Sequence, residues 1–442
     1  MHNIHSGYSV VAKLKKDSLD KTRAFLSELN KDPGNNPKLP FNNFQTTHFV
    51  NAVLIPEQQY QNELLPATLL FATSFSGPVN NHLEELISLG GPGLKELFQN
   101  CEDFSTGAAA SDNELKSFLK KYRRWETFYS GMQLLSKTEI LRENALRTSI
   151  RQFIDKNQPD ANLSNAGPAE IKKQIQEHVT QQPEFEWATE KQPRTIAGFI
   201  TLYWSLILFS IFFLLLLYSI FGWFVFHQPL FKFVFFALLA IIAFVVTLVL
   251  SMRKYEKEPQ FVAPRQPDKT IHAVAVSQQY PVLNTMCVSG VLKNGWLRPL
   301  IFKLALRAVI ILRGMLKIPT VYTARWIAFD KGKRLVFVSN FTNFTESYIR
   351  DFIDNAGSAR KINLLFGQGN GYPPTKWFMG GGALDNQDAF INDVMINYRF
   401  TDFWYCPYMN LSIENINMNR LIFQGLFAAQ TPDQIKNWLQ LL

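Results

Sequence analysis

Apolar and polar residues alternate in short runs along this chain, and longer runs repeat their apolar positions with helical spacing. In the N-terminal part the pattern predicts strands near residues 8–14, 48–55, 67–74 and 125–129, and helices near 18–29 and 78–87. In the C-terminal part it predicts strands near 286–293, 321–329, 334–340 and 402–405, and helices near 296–312 and 345–353. Each half therefore has the order strand, helix, strand, strand, helix, strand, which is that of a ferredoxin-like unit.

The two halves also share sequence. TLLFATSFSGPVNNHLEELI at residues 68–87 aligns without a gap with RLVFVSNFTNFTESYIRDFI at residues 334–353, and residues 127–150 align with residues 403–426. Two such units can bury their bare sheet faces on each other. We therefore predict an α+β fold in which two ferredoxin-like βαββαβ repeats pack as an internal pseudo-dimeric α+β barrel.

A long apolar segment separates the two halves. Residues 195–251 contain only one residue that is certainly charged, Lys232, and two apolar runs cover residues 196–221 and 233–250. Each run approaches the roughly 20 residues that a helix needs to cross the hydrocarbon core of a membrane. The sequence thus predicts a two-helix transmembrane hairpin inserted between the repeats, with a buried helix pair of a soluble protein as the alternative.

Basic residues flank this predicted hairpin on both sides. Lys191 and Arg194 precede it, and Arg253, Lys254 and Lys257 follow it. Because Lys and Arg near membrane ends stay on the cytoplasmic side, we expect an integral protein of the inner (cytoplasmic) membrane with both termini cytoplasmic. The three cysteines form no CxxC pair, which also suits a reducing compartment.

Length and composition suit several structural units. The chain has 442 residues, of which 47% are hydrophobic, so it can bury more than one core. The predicted units are a first repeat with a trailing helix in residues 1–155, a polar helical stalk or linker in 156–194, the hairpin in 195–251 and a second repeat with a trailing helix in 252–442. The net charge is +9, but the basic residues cluster near the membrane ends, so a lipid membrane is the expected partner and nucleic acid is disfavoured.

Familiar catalytic motifs are missing from the sequence. It contains no HExxH, no paired Cys/His spacing, no GxSxG and no GxxxxGK[ST]. GQGNGYPP at residues 367–374 resembles a glycine-rich phosphate loop, but it meets two prolines instead of opening a helix. This segment therefore predicts a turn.

The first predicted helix of the second repeat is both amphipathic and basic. Its apolar stripe is opposed by Arg298, Lys303, Arg307 and Arg313. Two interpretations stay open: the helix packs on its own sheet, or it lies in the lipid headgroup region with its cations near anionic lipid.

Three segments carry a resemblance to a known family: YTARWIAFDKGKRLVFVSNFTNFTESYIRDFID, GNGYPPTKWF and LSKTEILRENALRTSIRQFID. They resemble a largely uncharacterised bacterial family of duplicated ferredoxin-like proteins, loosely similar in fold to dye-decolourising peroxidases. The resemblance covers most of both repeats and excludes the hairpin. The chain departs from the family pattern at Tyr322, where a His is expected, and at Thr342 and Asn343, where Asp-Gly is usual.

The similarity to peroxidases raises haem as a cofactor. Such enzymes place a proximal His, a distal acid and an Arg in one cavity. Of the seven histidines, His2 and His5 fall in the N-terminal tail, His178 in the stalk and His227 in the turn of the hairpin, which leaves His48, His82 and His272 as the main candidates. We expect the side chains of His48 and His82 to be at the surface or partly packed.

A polar cluster in the second repeat is the candidate ligand-binding site. It comprises Arg325 and Trp326 on one predicted strand, Asn340 on the next and Tyr348 on the following helix. If Arg325 points into the barrel it needs a partner, because an unpaired buried guanidinium costs several kcal/mol. That partner is either a ligand carboxylate or phosphate, or an internal acid such as Asp351.

These observations predict a membrane-anchored cytosolic protein that binds a hydrophobic or amphiphilic small molecule between the two repeats. A haem-dependent, peroxidase-like oxidoreductase is the first alternative, on the fold analogy. A non-catalytic structural or interaction module is the second. Whether the protein is an enzyme stays open at this point.

Overall fold

The computed structural model shows a mixed α/β protein with several antiparallel sheets. It describes residues 4–104, 109–132, 134–157, 166–190, 196–226, 229–278, 280, 282–312, 320–354, 362–377 and 380–442. The basic residues Lys191 and Arg194, used above for the membrane orientation, lie outside these ranges, as does His2.

Fourteen strands form within the described residues. They are β1 (His5–Lys13), β2 (Thr47–Ile55), β3 (Gln58–Tyr60), β4 (Glu63–Leu65), β5 (Thr68–Ser76), β6 (Arg123–Arg124), β7 (Glu126–Ser130), β8 (Leu283–Val291), β9 (Val321–Phe329), β10 (Arg334–Thr342), β11 (Thr375–Lys376), β12 (Gly380–Gly381), β13 (Tyr398–Arg399) and β14 (Phe403–Tyr405).

The α-helices lie between and after these strands. They are α1 (Leu19–Leu29), α2 (Val79–Phe98), α3 (Asp112–Tyr122), α4 (Lys137–Asn157), α5 (Pro168–Thr180), α6 (Ile196–Phe226), α7 (Pro229–Lys257), α8 (Asp268–Ser277), α9 (Arg298–Leu312), α10 (Thr345–Asp354), α11 (Gln387–Ile396), α12 (Ile413–Leu426) and α13 (Pro432–Leu439). Side-chain caps start several of them: the Ser111 and Thr431 side chains each form a capping box with the residue three positions on.

Two five-stranded antiparallel sheets dominate the fold. The first has the order β14-β2-β5-β1-β6 and the second the order β13-β8-β10-β9-β7. Each sheet therefore contains three long strands of its own half and, at one edge, a short strand from the other half. β7 pairs with β9, placing Phe128 opposite Arg325, and β14 pairs with β2, placing Phe403 opposite Ala52.

This exchange of edge strands corrects the sequence-based assignment. The strand predicted near residues 125–129 was expected in the sheet of its own half, but only Arg123 and Arg124 pair there, with β1. The chain then crosses at Trp125 and continues as β7 in the second sheet. The crossing covers an edge of the second sheet that would otherwise leave its backbone hydrogen-bonding groups unpaired.

The two sheets pack face to face through one apolar layer. Alternate residues of each long strand point into it, as the period of two requires. The layer contains Val11, Val53, Ile55, Leu70 and Ala72 from the first sheet, and Cys287, Ile327, Phe329, Val336 and Val338 from the second.

Helices cover the outer face of each sheet. In the first half, Leu83 and Leu86 of α2 pack in a cluster with Phe71 of β5. In the second half, Phe302 and Leu306 of α9 pack in a cluster with the second sheet. The basic amphipathic helix therefore packs on its own sheet, while the Lys303 and Arg307 side chains remain exposed.

The segment interpreted as a polar stalk carries α5. Its Ile175 and Val179 side chains are fully buried in a cluster with Leu146 of α4 and Ile422 of α12. Lys172 of α5 donates hydrogen bonds to Ala428 O (2.9 Å) and to Gln430 Oε1 (2.6 Å). In the described part, this segment is thus packed against the helices that follow each half.

The long helices α6 and α7 are in contact and expose many apolar side chains. Leu214 is 63% exposed and Phe233 is 73% exposed. Among the described residues, Lys232–Lys257 is the one helix segment that is long and apolar enough to cross a membrane, and Leu206–Gly222 is a shorter apolar stretch. One candidate span is therefore supported, by length and composition, and the two-span hairpin stays a prediction.

Candidate functional site

The four predicted site residues do not form one cluster. Arg325 and Trp326 are neighbours on β9, so their side chains point to opposite faces of the sheet. Arg325 and Asn340 point into the space between the two sheets, where they bond to residues of the first half. Trp326 and Tyr348 lie in the cluster under the helices of the second half.

Arg325 is completely buried, and its two terminal nitrogens bond within the protein, whereas its Nε has no partner in the described part of the chain. Its Nη1 donates to Ser9 Oγ (3.1 Å) and to the Thr73 carbonyl oxygen (3.0 Å), and lies 3.4 Å from Glu126 Oε2. Its Nη2 donates to the Ser74 hydroxyl. The counter-ion is therefore an internal acid, Glu126, and not the ligand anion considered as the alternative.

Asp351, the internal partner named from the sequence, is not the acid found here, and its side chain lies outside the described part. Glu126 belongs to the crossing strand β7, on the edge that the sequence placed in the other sheet. Its Oε2 accepts a hydrogen bond from Ser9 Oγ at 2.9 Å. Burial raises the pKa of this carboxyl, and the positive charge of Arg325 opposes the rise.

Asn340 belongs to an amide and hydroxyl network further along the same interior. Its Nδ2 donates to Thr323 Oγ1 (2.9 Å) and to Asn51 Oδ1 (3.3 Å), and its Oδ1 accepts from Trp404 Nε1 (2.9 Å). Asn51 Nδ2 in turn donates to Thr285 Oγ1 at 2.8 Å. The network links both sheets and reaches the exchanged strand β14.

Trp326 and Tyr348 fill the apolar core of the second half. The Trp326 ring lies 4.9 Å from the Phe337 ring, and Tyr348 stacks on Phe341 at 4.2 Å. The Tyr348 hydroxyl is 2.9 Å from Ser339 Oγ, and burial raises the pKa of this tyrosine. These contacts give both aromatic residues a packing role.

A pocket of about 510 Å³ opens where the chain crosses from β13 to β14. It is lined by both halves: Asn30 and Asn42 belong to the first half, and the strand region from Tyr398 to Tyr405 to the second. The pocket also exposes four large apolar or aromatic residues, which are Tyr280, Phe400, Trp404 and Met409. Trp404 and Thr285 connect its wall to the Asn340 network. We call it the aromatic pocket.

Sequence analysis did not select these residues, although FWYCPYM at residues 403–409 was an available signal of clustered aromatic side chains. The Tyr280 and Trp404 rings lie 5.6 Å apart. Tyr280 is 41% exposed and Phe400 is 51% exposed, so both can be covered by a ligand. Flat apolar surfaces beside neutral amides and hydroxyls suit an uncharged amphiphilic molecule.

A second pocket, of about 500 Å³, opens at the corresponding crossing from β6 to β7. It is lined by His5, Lys120, Arg123, Arg124, Trp125 and Glu126, among others. We call it the basic pocket. Its cationic rim distinguishes it from the aromatic pocket.

The expectation that His5 lies in a tail and that His48 and His82 are at the surface or partly packed is wrong. All three side chains are buried, because β1 already begins at His5 and His48 lies inside β2. The His5 and His48 rings lie 4.3 Å apart, and His48 Nδ1 is 2.7 Å from the Tyr408 hydroxyl. Burial lowers the pKa of His5 to about 4 and that of His82 to about 3.

These histidines do not fit a haem site. His5 uses both ring nitrogens, toward Ser130 Oγ and the Leu135 carbonyl, and His82 uses both, toward Thr46 and Thr73. His48 Nε2 has no partner, but the ring is fully buried beside His5. Within the described residues, neither the aromatic pocket nor the basic pocket is therefore lined by a histidine with a free ring nitrogen. Tyr322, at the position where the family pattern has a His, donates its hydroxyl to the Leu411 carbonyl.

The fold and the pockets define a mixed α/β protein with antiparallel sheets and one candidate membrane-spanning helix. Comparison with protein-family models, with curated proteins and with solved structures gives no match for this chain. The resemblance to duplicated ferredoxin-like proteins accordingly stays a prediction.

Proposed function

We propose that this protein is a membrane-attached binding protein whose aromatic pocket takes an uncharged amphiphilic small molecule between two duplicated halves. The observation that carries the proposal is the aromatic pocket itself, about 510 Å³ in volume and lined by both halves. A cavity of this size falls in the range of small-molecule sites. In the described part of its lining, the charged residues are Lys31 and Asp32, one of each sign.

Two ferredoxin-like repeats in an α+β barrel are part of the proposal. The strand orders support it, because β6-β1-β5-β2 in one half corresponds to β13-β8-β10-β9 in the other. The exchanged strands β14 and β7 then complete the two sheets at equivalent edges. Side chains fill the middle of the space between the sheets. A ligand site between the halves therefore belongs where the chain passes from one sheet to the other, between β6 and β7 or between β13 and β14.

Attachment to a membrane by a hairpin of α6 and α7 is also part of the proposal. The mutual contact of these helices and their exposed apolar side chains support it. The orientation follows from Arg253, Lys254 and Lys257 at the end of α7. It places the sheets and both termini in the cytoplasm, with the turn between the helices on the other side of the inner membrane.

Ligand extraction from the full chain tests the binding function. The purified protein in detergent is extracted with organic solvent, and the extract is compared by mass spectrometry with that of Tyr280→Ala and Phe400→Ala proteins. We expect one uncharged amphiphile that is retained by the unaltered chain and depleted by about tenfold in each variant, since each change removes apolar ligand contacts.

Phe261→Ala is the matched control, because Phe261 is 54% exposed and does not line the aromatic pocket. This control keeps the amphiphile at the level of the unaltered chain. An extract without such a compound, or one that all three variants deplete equally, contradicts the proposed site.

A further inference from the structure

We propose that the basic pocket binds a small zwitterion, in which a primary ammonium group lies close to an oxyanion. Free amino acids and the ethanolamine phosphate headgroup of a lipid share this chemistry. The site lies at the other crossing of the chain and uses none of the aromatic-pocket residues, so it stands apart from the function proposed above.

The rim of the basic pocket attracts anions. Lys120, Arg123 and Arg124 line it, and none of them has a carboxylate within ion-pair distance among the described residues. Arg123 instead lies over the Tyr8 ring, with its guanidinium carbon 4.8 Å from the ring centre. Three cations around one concave surface raise the local concentration of an oxyanion. The aromatic pocket has no comparable group of cations in its described lining.

Two atoms without a partner, one donor and one acceptor, belong to residues that line this pocket. Arg124 Nε and Glu126 Oε1 are both buried and have no hydrogen-bond partner in the described part of the chain. A buried polar atom without a partner destabilises the fold. A ligand that bonds to both atoms therefore supplies the hydrogen bond that each of them lacks. Arg124 Nε is a donor and can bond to an oxyanion of the ligand. Glu126 Oε1 is an acceptor and can bond to an ammonium group of the ligand.

Gly7 shapes the floor of the pocket. A methyl group at this position would lie 2.6 Å from Glu126 Cδ, so only glycine lets the carboxyl group lie there. The glutamate side chain is 7% exposed and shares its other oxygen, Oε2, with Ser9 and Arg325.

Trp125 and Phe128 provide an apolar wall beside these charges. The Trp125 side chain is 46% exposed at the mouth, where the chain crosses between the sheets. This wall suits the carbon skeleton of an amino acid or the glycerol end of a lipid headgroup. A bare inorganic anion would leave both the wall and Glu126 Oε1 without a partner.

Isothermal titration of the full chain in detergent tests the proposal with defined probes. The probes are L-leucine, O-phosphoethanolamine, phosphocholine and inorganic phosphate. We expect binding of at least one of the first two, and weaker binding of the last two by about tenfold or more, because these lack the N–H donor for Glu126. Equal binding of inorganic phosphate overturns the proposal, as does no binding of either amine.

Two variants assign the binding to its residues. Arg124→Gln removes the cation, and Glu126→Gln removes the carboxylate while keeping its shape. Each change is expected to lower the affinity for the amine by about tenfold. Arg151→Gln is the matched control, since Arg151 is exposed on α4 and does not line the pocket. Glu126→Gln protein that folds and binds with unchanged affinity overturns the assignment; if it fails to fold, the Arg124→Gln result decides.

The two sources are distinguished in a second titration. The full chain is placed in lipid nanodiscs made of phosphatidylcholine alone or with phosphatidylethanolamine, and the amine that binds in detergent is titrated into both. If the lipid headgroup occupies the pocket, binding of this amine falls in the second preparation. If free amino acids are the ligand, the two titrations agree. Both outcomes support a zwitterion site, and loss of binding in both preparations contradicts it.

Discussion

Phe128 and Arg325 face each other across β7 and β9, with the guanidinium carbon of Arg325 5.2 Å from the centre of the Phe128 ring. One residue comes from the N-terminal half and the other from the C-terminal half. The same guanidinium reaches Ser9 and Ser74 of the first sheet. Arg325 thus connects three strands of the first half to β9 of the second half.

Replacing this arginine should destabilise the fold strongly. In Arg325→Met protein the Glu126 carboxyl stays buried without its cation, and removing one partner of a buried ion pair costs about 3–5 kcal/mol. Urea unfolding followed by circular dichroism measures the loss. The double variant Arg325→Met, Glu126→Gln should recover part of it, since the uncompensated charge is then gone.

Arg265→Met serves as the control for this experiment. Arg265 has an exposed side chain in an ion pair with the exposed Asp268, and such pairs contribute at most about 1 kcal/mol. A loss in Arg325→Met no larger than in this control would show that the interior pair is energetically unimportant.

A methyl group at Gly7 should also disturb the pocket floor. Gly7→Ala places a carbon atom against the Glu126 carboxyl group, and overpacking of this kind costs about 1–3 kcal/mol. Thermal unfolding provides the measurement. Gly91→Ala is a suitable comparison because the added carbon meets Asp112 Oδ1 at an ordinary contact distance of 3.8 Å, and a similar loss in both proteins would argue against a steric cause.

The buried histidines make stability fall in mild acid. Burial lowers the pKa of His5 to about 4 and of His82 to about 3, and it lowers that of His48 well below its usual value. The unfolded chain therefore binds protons below about pH 6.5 that the folded chain does not bind. Each histidine should lower the free energy of unfolding by up to about 1.4 kcal/mol for each pH unit below that point, while Glu143 and Asp393, whose pKa burial raises to about 7, act in the opposite direction.

Urea unfolding between pH 7 and pH 5 measures this slope. The variant His82→Gln should have a smaller slope than the unaltered chain, because one of the titrating groups is missing. A slope that does not change in this variant would mean that His82 is protonated equally in both states.

The proposed membrane orientation predicts a labelling pattern. In Lys232→Cys protein the thiol lies at the far end of the apolar segment, and in Lys257→Cys protein it lies at the cytoplasmic end. A membrane-impermeant maleimide added to intact cells with a permeable outer envelope should label the first and not the second. The native cysteines Cys101, Cys287 and Cys406 are buried, so their labelling by the maleimide sets the background level. Labelling of Lys257→Cys alone would reverse the proposed orientation.

The alternation of polar and apolar residues predicted the long strands well. Predicted strands near residues 321–329 and 334–340 match β9 and β10 closely, because buried strands need continuous apolar faces. The exchange of β7 and β14 could not be predicted, since a short strand carries no local signal of the sheet it joins. It depends on pairing between residues that are far apart in the chain.

The sequence did not select the residues of the aromatic pocket, although it did raise an interior position for Arg325. Arg325 was expected to need a partner in the interior, and it has one, but the acid lies on the exchanged strand and so was not Asp351. Trp326 was grouped with Arg325 although adjacent strand residues point to opposite faces. His5 was assigned to a tail because β1 begins close to the chain start, where few apolar residues mark it.

The exchanged strand β14 has a consequence for biosynthesis. Residues 403–405 are the outermost strand of the first sheet, yet they leave the ribosome after α6, α7 and the whole second sheet. Until then β2 has a free edge, which invites pairing with other nascent chains. A chaperone that shields β2 during translation would therefore protect the N-terminal half until residues 403–405 have been synthesised.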